Sequence, residues 1–254
     1  MIFAMDVGNT NIKCGLFEEG VLKHSFRIAT NIDLTSDEYG VNMHAFFNYL
    51  HLSPSVVNGM IASSVIPSVN YTLEHMARQY FDQRPMFVGP GIKTGINIKY
   101  DNPKELGADR IVNAVAAYEL FGGPVITIDF GTATSFGAIS ADGDFIGGAI
   151  CPGVRIAAEA LTSNAAKLPR IELVKPRSVI GKSTVSGMQA GIIYGYVGQV
   201  QYLVEKMKKE LGEAKVIATG GFAGLIAGES KHVIDEIVPT LTLLGLEKIY
   251  AKNV

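Results

Sequence analysis

Asp6-Val7-Gly8-Asn9-Thr10-Asn11-Ile12-Lys13 and Asp129-Phe130-Gly131-Thr132-Ala133-Thr134 are two versions of one element. Each opens with a carboxylate at the end of an apolar run, Ile2-Phe3-Ala4-Met5 and Val125-Ile126-Thr127-Ile128. An acid is costly there unless a cation or hydrogen bonds satisfy it. Gly8 and Gly131 follow their aspartates at the same spacing, and strand-like residues then return. A strand, a small-residue turn and a returning strand can offer backbone N–H groups and hydroxyls to a phosphate, with a carboxylate beside them for a cation. The first copy adds the donors Asn9, Thr10 and Asn11 and the positive Lys13. The second has Thr132, Thr134 and apolar residues around Phe136, which leaves Asp129 for a cation. An ordinary turn accounts for either stretch alone, but the recurrence argues for a duplicated domain.

Two further stretches carry chemistry. Ala218-Thr219-Gly220-Gly221-Phe222-Ala223-Gly224 follows the apolar run from Lys215, and a strand ending in Thr-Gly-Gly leaves room for a planar or charged ligand against backbone. In Gly107-Ala108-Asp109-Arg110, the acid falls in the first turn of a helix beginning near Leu106. The helix dipole favours a carboxylate there and is expected to hold its pKa down. Arg110 can hold a substrate carboxylate through two parallel hydrogen bonds; a plain salt bridge to solvent is the other reading. Gly181-Lys182-Ser183-Thr184 imitates the end of a phosphate-binding P-loop, but the first glycine of that motif would fall at Pro176 and no buried strand precedes it. Ser183 reads better as a helix N-cap. The five histidines have no metal-ligand spacing, and Cys14 and Cys151 form no redox or ligand motif.

The elements that must position these residues repeat as well. Strands are expected at 2–8, 11–18 and 21–29, then a helix in 31–52 with its start signal at Thr35, a buried strand at 57–63 and a helix from Pro67 to Tyr80. A short strand at 86–88 precedes a Gly/Pro/Asn-rich loop at 89–103 and a helix at 106–120. Gly122-Gly123-Pro124 breaks the pattern and marks a boundary between domains 1–121 and 122–254. Strands at 124–131, 134–140 and 143–149 then restart it, followed by helices at 154–165 and 183–211, a strand at 215–219 and a strand-helix unit at 233–252. The fold class is α/β: two similar domains with a cleft between them, where a small molecule would bind. The long helix carries Gly187, Gly191, Gly195 and Gly198 on one face. Glycine inside a helix costs about 0.5–1 kcal/mol each, which close approach of another backbone would offset, within the fold or across a dimer.

Composition narrows the function classes. The chain has 254 residues, 48% of them hydrophobic, which supplies ample core. Its net charge of −2 and lack of a basic stripe give no support for nucleic acid binding. The longest apolar-looking stretch, Gly187 to Val204, holds Gln189, Gln199 and Gln201 and is unsuited to spanning a membrane. Asp6 interrupts the first apolar run and no basic segment precedes it, so a signal peptide is not expected. Two cysteines outside any motif suit a reducing cytoplasm.

The ordered set of two Asp-x-Gly hairpins and a later Thr-Gly-Gly turn resembles the actin/sugar-kinase/Hsp70 superfamily of ATP-binding proteins, with duplicated ribonuclease H-like domains. Within it, the two hairpins, Tyr100-Asp101-Asn102-Pro103, Gly107-Ala108-Asp109-Arg110 and Gly148-Ala149-Ile150-Cys151-Pro152-Gly153 resemble the type III pantothenate kinases of bacteria over essentially the whole chain. The resemblance implies ATP-dependent phosphorylation of pantothenate, the first step of coenzyme A biosynthesis, with Mg²⁺ and a monovalent cation (K⁺ or NH₄⁺). It implies that Asp6, Val7, Gly8, Asn9, Thr10, Asn11, Ile12 and Lys13 hold ATP, with Thr132 contributing from the second hairpin. Asp129 would bind the monovalent cation and Asp109 would accept the proton. Tyr100, Gly107, Ala108, Asp109, Arg110 and Thr184 would contact pantothenate, Thr184 across the interface of a homodimer. A kinase of the same fold for another small alcohol, or a non-catalytic regulatory relative, are the rival expectations.

Overall fold

The computed structural model describes residues 1–230 and 232–254. In chain order the strands and helices open with β1 (Ile2–Val7), β2 (Asn11–Glu18), β3 (Val21–Ala29), α1 (Ser36–Tyr49), β4 (Gly59–Ser64), α2 (Pro67–Phe81), β5 (Met86–Phe87), β6 (Asn97–Ile98) and α3 (Ala108–Phe121). They continue with β7 (Val125–Phe130), β8 (Ala133–Ile139), β9 (Asp144–Pro152), α4 (Val154–Asn164), α5 (Thr184–Leu211), β10 (Lys215–Gly220), α6 (Ala223–Ala227), β11 (Glu236–Ile237) and α7 (Leu241–Ala251). Two compact units result. The first comprises Met1–Gly95, Asn102–Ala116 and Thr242–Val254; the second comprises Ile96–Asp101 and Ala117–Leu241. The expected single cut at 121/122 is thus replaced by an exchange of segments.

The first unit is built on a five-stranded sheet in the order β3-β2-β1-β4-β5. β1 pairs antiparallel with β2 and parallel with β4. As the central strand it is buried on both faces and reads as a continuous apolar run, whereas β3 alternates exposed and half-buried positions. Phe3, Phe47 and Phe81 interlock in the core, with Phe47 and Phe81 ring centroids 5.1 Å apart in an edge-to-face arrangement. α1 starts at the expected signal: Thr35 and Glu38 form a reciprocal capping box. The preceding 31–34 segment, expected to be helical, stays outside because the cap fixes the first turn. α7 belongs here by packing. Thr242 Oγ1 donates to the buried Asn113 Oδ1 at 2.8 Å, and a Cβ on Gly245 would stand 2.1 Å from Val112 O, so α3 and α7 touch backbone to backbone.

The second unit repeats the plan. Its sheet runs β11-β10-β7-β8-β9-β6, so β9-β8-β7-β10-β11 reproduces the order of the first sheet and β6 adds one edge strand. β7 pairs antiparallel with β8 and parallel with β10, matching the directions around β1. Ile126, Ile128, Phe130, Val216 and Ala218 face a core closed by Ile193, Val197 and Val200 of α5. Ser183 caps α5 as expected, accepting from Ser186 N–H at 3.2 Å. β6, inside a stretch expected to be loop, and the short α6 after the Thr-Gly-Gly turn had no periodic signal of their own.

Candidate active site

In the first unit, Asp6 lies one residue before the end of β1 and is paired in register with Lys13 on β2 and Ser63 on β4. Only 7% of the residue is exposed. Its carboxylate is held on both oxygens: Ser63 Oγ donates to Oδ1 at 3.0 Å, and Lys13 Nζ donates to Oδ2 at 3.2 Å. A buried acid needs such partners. Ser63 is a site residue that sequence reasoning missed, since a serine in a buried strand carries no motif. Lys13, expected to face phosphate, is engaged with Asp6.

The turn that follows is tight and anchored. Gly8 N–H donates to Asn11 O at 3.1 Å, Thr30 Oγ1 to Gly8 O at 2.6 Å, and Thr30 N–H to Thr10 O at 3.0 Å. Asn9 and Thr10 are exposed at its tip, free of burial against the sheet. Val7 and Ile12 sit in the core, so any contribution they make to a ligand comes from their backbone.

Asp109 occupies the first turn of α3 in the same unit. Gly107 makes room for it: a Cβ there would lie 2.5 Å from Asp109 Oδ1, while Gly107 O accepts from Arg110 N–H at 3.1 Å. The Asp109 carboxyl is pushed above the usual carboxylate range, first by burial and then by the charge of Asp6. Hydrogen bonds from the backbone of Arg110 and of Asp109, and the positive Arg110 side chain, pull the other way without winning. This corrects the expectation that the helix terminus would hold the pKa down, because desolvation and a like charge outweigh the dipole. Arg110 is buried beside it.

In the second unit, Asp129 on β7 stands in the register place of Asp6, between Thr219 on β10 and Ser135 on β8. The hairpin is one residue tighter than the first, with Gly131 N–H donating to Ala133 O at 3.0 Å. The counterpart of Lys13 is therefore Ser135, not the Phe136 region that a constant sequence offset suggests. Thr132 is exposed at the tip. The loop rests on Gly153, where a Cβ would stand 2.0 Å from Thr132 O and 2.7 Å from Gly131 O. One carboxylate with hydroxyl oxygens on the neighbouring strands is a donor set that suits a hard cation. Among the described residues no group of three or more His, Cys, Asp and Glu could hold a metal ion.

Tyr100 belongs to the second unit, whereas Gly107 to Arg110 belong to the first. Its ring packs on Phe145 at 6.2 Å, and Lys99 N–H donates to Phe145 O at 2.9 Å. Thr184 is exposed as the first residue of α5. The glycine face of that helix is exposed, and no other part of the described chain lies within 4 Å of a Cβ at Gly187, Gly191, Gly195 or Gly198. Close approach within the fold therefore does not explain it. Burial pushes the thiols of Cys14 and Cys151 up, which makes both poor nucleophiles. No helix among the described residues is long and apolar enough to cross a membrane.

Known proteins place this architecture. The family model for type III pantothenate kinase matches residues 2–206. A Campylobacter jejuni protein assigned to the Baf family of transcriptional activators is similar at 19% identity, with 99% of this chain and 97% of that one covered and a TM-score of 0.58. An activator of 2-hydroxyisocaproyl-CoA dehydratase from Clostridium difficile, solved with bound ADPNP, aligns at 12% identity over 98% and 93%, with a TM-score of 0.54. A Sinorhizobium meliloti protein assigned as a 2-dehydro-3-deoxygalactonokinase aligns at 11% identity over 99% and 96%, with a TM-score of 0.60. These likenesses give the fold, the duplicated α/β architecture of actin-like ATPases and sugar kinases.

Proposed function

The chain belongs to the type III pantothenate kinases, and we propose that it moves the γ-phosphoryl group of ATP to the terminal hydroxyl of pantothenate, giving 4'-phosphopantothenate. The family makes it an ATP-using phosphotransferase of coenzyme A biosynthesis; the acceptor is our reading. The observation that carries it is Asp109: a carboxyl in the family's Gly-Ala-Asp-Arg order, under the influence of Asp6 beside the first phosphate hairpin.

Phosphoryl transfer asks for positioning and charge neutralisation more than for covalent chemistry. The Gly8–Asn11 turn offers N–H groups and side-chain donors to the phosphates, and Thr132 adds a hydroxyl from the second hairpin. Asp6 and Asp129 are the carboxylates that would stand nearest Mg²⁺ and the monovalent cation, whose positive charge offsets that of the triphosphate. Asp109 takes the proton of the acceptor hydroxyl. A raised pKa makes it a stronger base than an ordinary aspartate. Arg110 orients the pantothenate carboxylate, with Gly107, Ala108, Tyr100 and Thr184 shaping the rest of the acceptor site.

The exposed glycine face of α5, with Val179, Ile180 and Val185 exposed near its start, supports a homodimer in which Thr184 serves the neighbouring site. Light scattering on the purified protein checks the dimer, and Gly191→Leu should shift it toward monomer. An ADP-release assay with ATP, Mg²⁺ and pantothenate, with and without K⁺, tests the reaction. Absence of turnover at millimolar pantothenate, with turnover of another alcohol in a parallel panel, would replace the substrate; absence with every acceptor would leave a regulatory relative.

A further inference from the structure

Thr219 stands where Ser63 stands in the first sheet, directly across from the aspartate in a parallel strand pair. Ser63 spends its hydroxyl on Asp6. Thr219 does not spend its hydroxyl on Asp129: the residue is 0% exposed and Oγ1 has no hydrogen-bond partner among the described residues. An unmet buried hydroxyl is destabilising, and such groups are rare in native proteins unless a water, ion or ligand completes them.

Directly register-paired residues on adjacent strands project from the same face of a sheet, so Thr219 and Asp129 share one face. Thr134 Oγ1 is also buried without a partner among the described residues, but Thr134 pairs with Phe130 and therefore lies on the opposite face. The next residue after Thr219 is Gly220, at a positive φ of 94°. A Cβ on it would lie 2.6 Å from Asp129 Oδ1, so glycine at 220 keeps its own strand end from crowding that carboxylate.

We propose that Thr219 supplies a hydroxyl oxygen to the cation bound at Asp129, an inference that rests on the reading of Asp129 as the cation-binding carboxylate. One carboxylate joined by a neutral hydroxyl oxygen is a hard, weakly charged donor set of the kind that suits an alkali cation. The oxygen lone pair goes to the ion, which completes the buried hydroxyl without calling on the protein.

The test is thermal unfolding without nucleotide, titrating KCl against choline chloride at constant ionic strength. Wild type should gain stability with K⁺, and Asp129→Asn should lose that response. Thr219→Val should need about tenfold more K⁺, or higher, for the same shift, the cost typical of losing a supporting metal-site contact. Thr219→Ser should keep the wild-type midpoint. A wild-type midpoint in Thr219→Val overturns the proposal, as does a Thr219→Ser protein that responds no better than Val. If wild type itself ignores K⁺, the Asp129 reading fails and takes this inference with it. Should the valine variant not fold, Thr219→Ala against Thr219→Ser makes the same comparison.

Discussion

Two rows of side chains, one in each sheet, occupy the same register and differ in charge. In the first, Ser63, Asp6 and Lys13 lie side by side across β4, β1 and β2, and the acid is bonded to both neighbours. In the second, Thr219, Asp129 and Ser135 lie across β10, β7 and β8. The second hairpin loop is one residue shorter, so Ser135 and not Phe136 takes the register place that Lys13 holds in the first. Duplication therefore conserved the frame, and a change in turn length altered what the second acid faces within its own sheet. Within its own sheet the acid of the first row is paired with an ammonium, whereas the acid of the second stands between two hydroxyl side chains.

The largest expected effect lies beside the first row. Asp109→Asn should lower kcat by about 10²–10⁴, the usual worth of a positioned base. It should also raise the melting temperature at pH 7. Because the folded-state pKa of Asp109 is raised, its ionisation costs stability that appears as pH rises through the unfolded value toward the folded one. The gain from Asn should therefore be present at neutral pH and vanish in acid, which paired melting curves check. An unchanged kcat would remove Asp109 from the chemistry. In the wild type, the acidic limb of kcat/KM should lie above the ordinary carboxylate range.

Gly153→Ala attacks the second hairpin, since the new Cβ would enter the space of Thr132 O. A displacement of that loop should cost about a hundredfold in kcat/KM, with the first hairpin untouched; a normal KM for ATP would deny Thr132 its part. Ser135→Lys sharpens the comparison directly by giving the second row the ammonium of the first. Rates measured with K⁺ and with choline should converge in that variant, and persistence of the wild-type ratio would break the analogy. The smallest effect is expected for Ser63→Ala, which removes one hydrogen bond from Asp6 and should cost about 1–2 kcal/mol of stability in urea unfolding.

Much of the fold was legible because its signals are local. Apolar runs, turn glycines, the Thr35 and Ser183 caps and the repeated Asp-x-Gly spacing each depend on residues close together in the chain. The exchange of segments between units was not, because it depends on Gly245 meeting Val112 across a long sequence separation. The short strand Asn97–Ile98 is held by pairing with β9 and not by its own alternation. Within the site, the aspartates, the glycines and Asp109 were visible as motifs. Ser63 and Thr219 were harder to assign, since a hydroxyl at the end of a buried strand acquires meaning only from the strand beside it.

Sequence alone determined that this chain repeats an Asp-x-Gly hairpin and carries an acid at a helix start between the copies, because residue type and short spacing carry that information; the expectation of an ATP-dependent kinase came from the family these motifs resemble. Tertiary structure decided which neighbour each acid meets. It placed Ser63 and Lys13 on Asp6 and Thr219 and Ser135 beside Asp129, and it set the pKa of Asp109 upward against the helix dipole. Strand register and burial are properties of chains already packed together, and the electrostatics of these carboxylates follow from them.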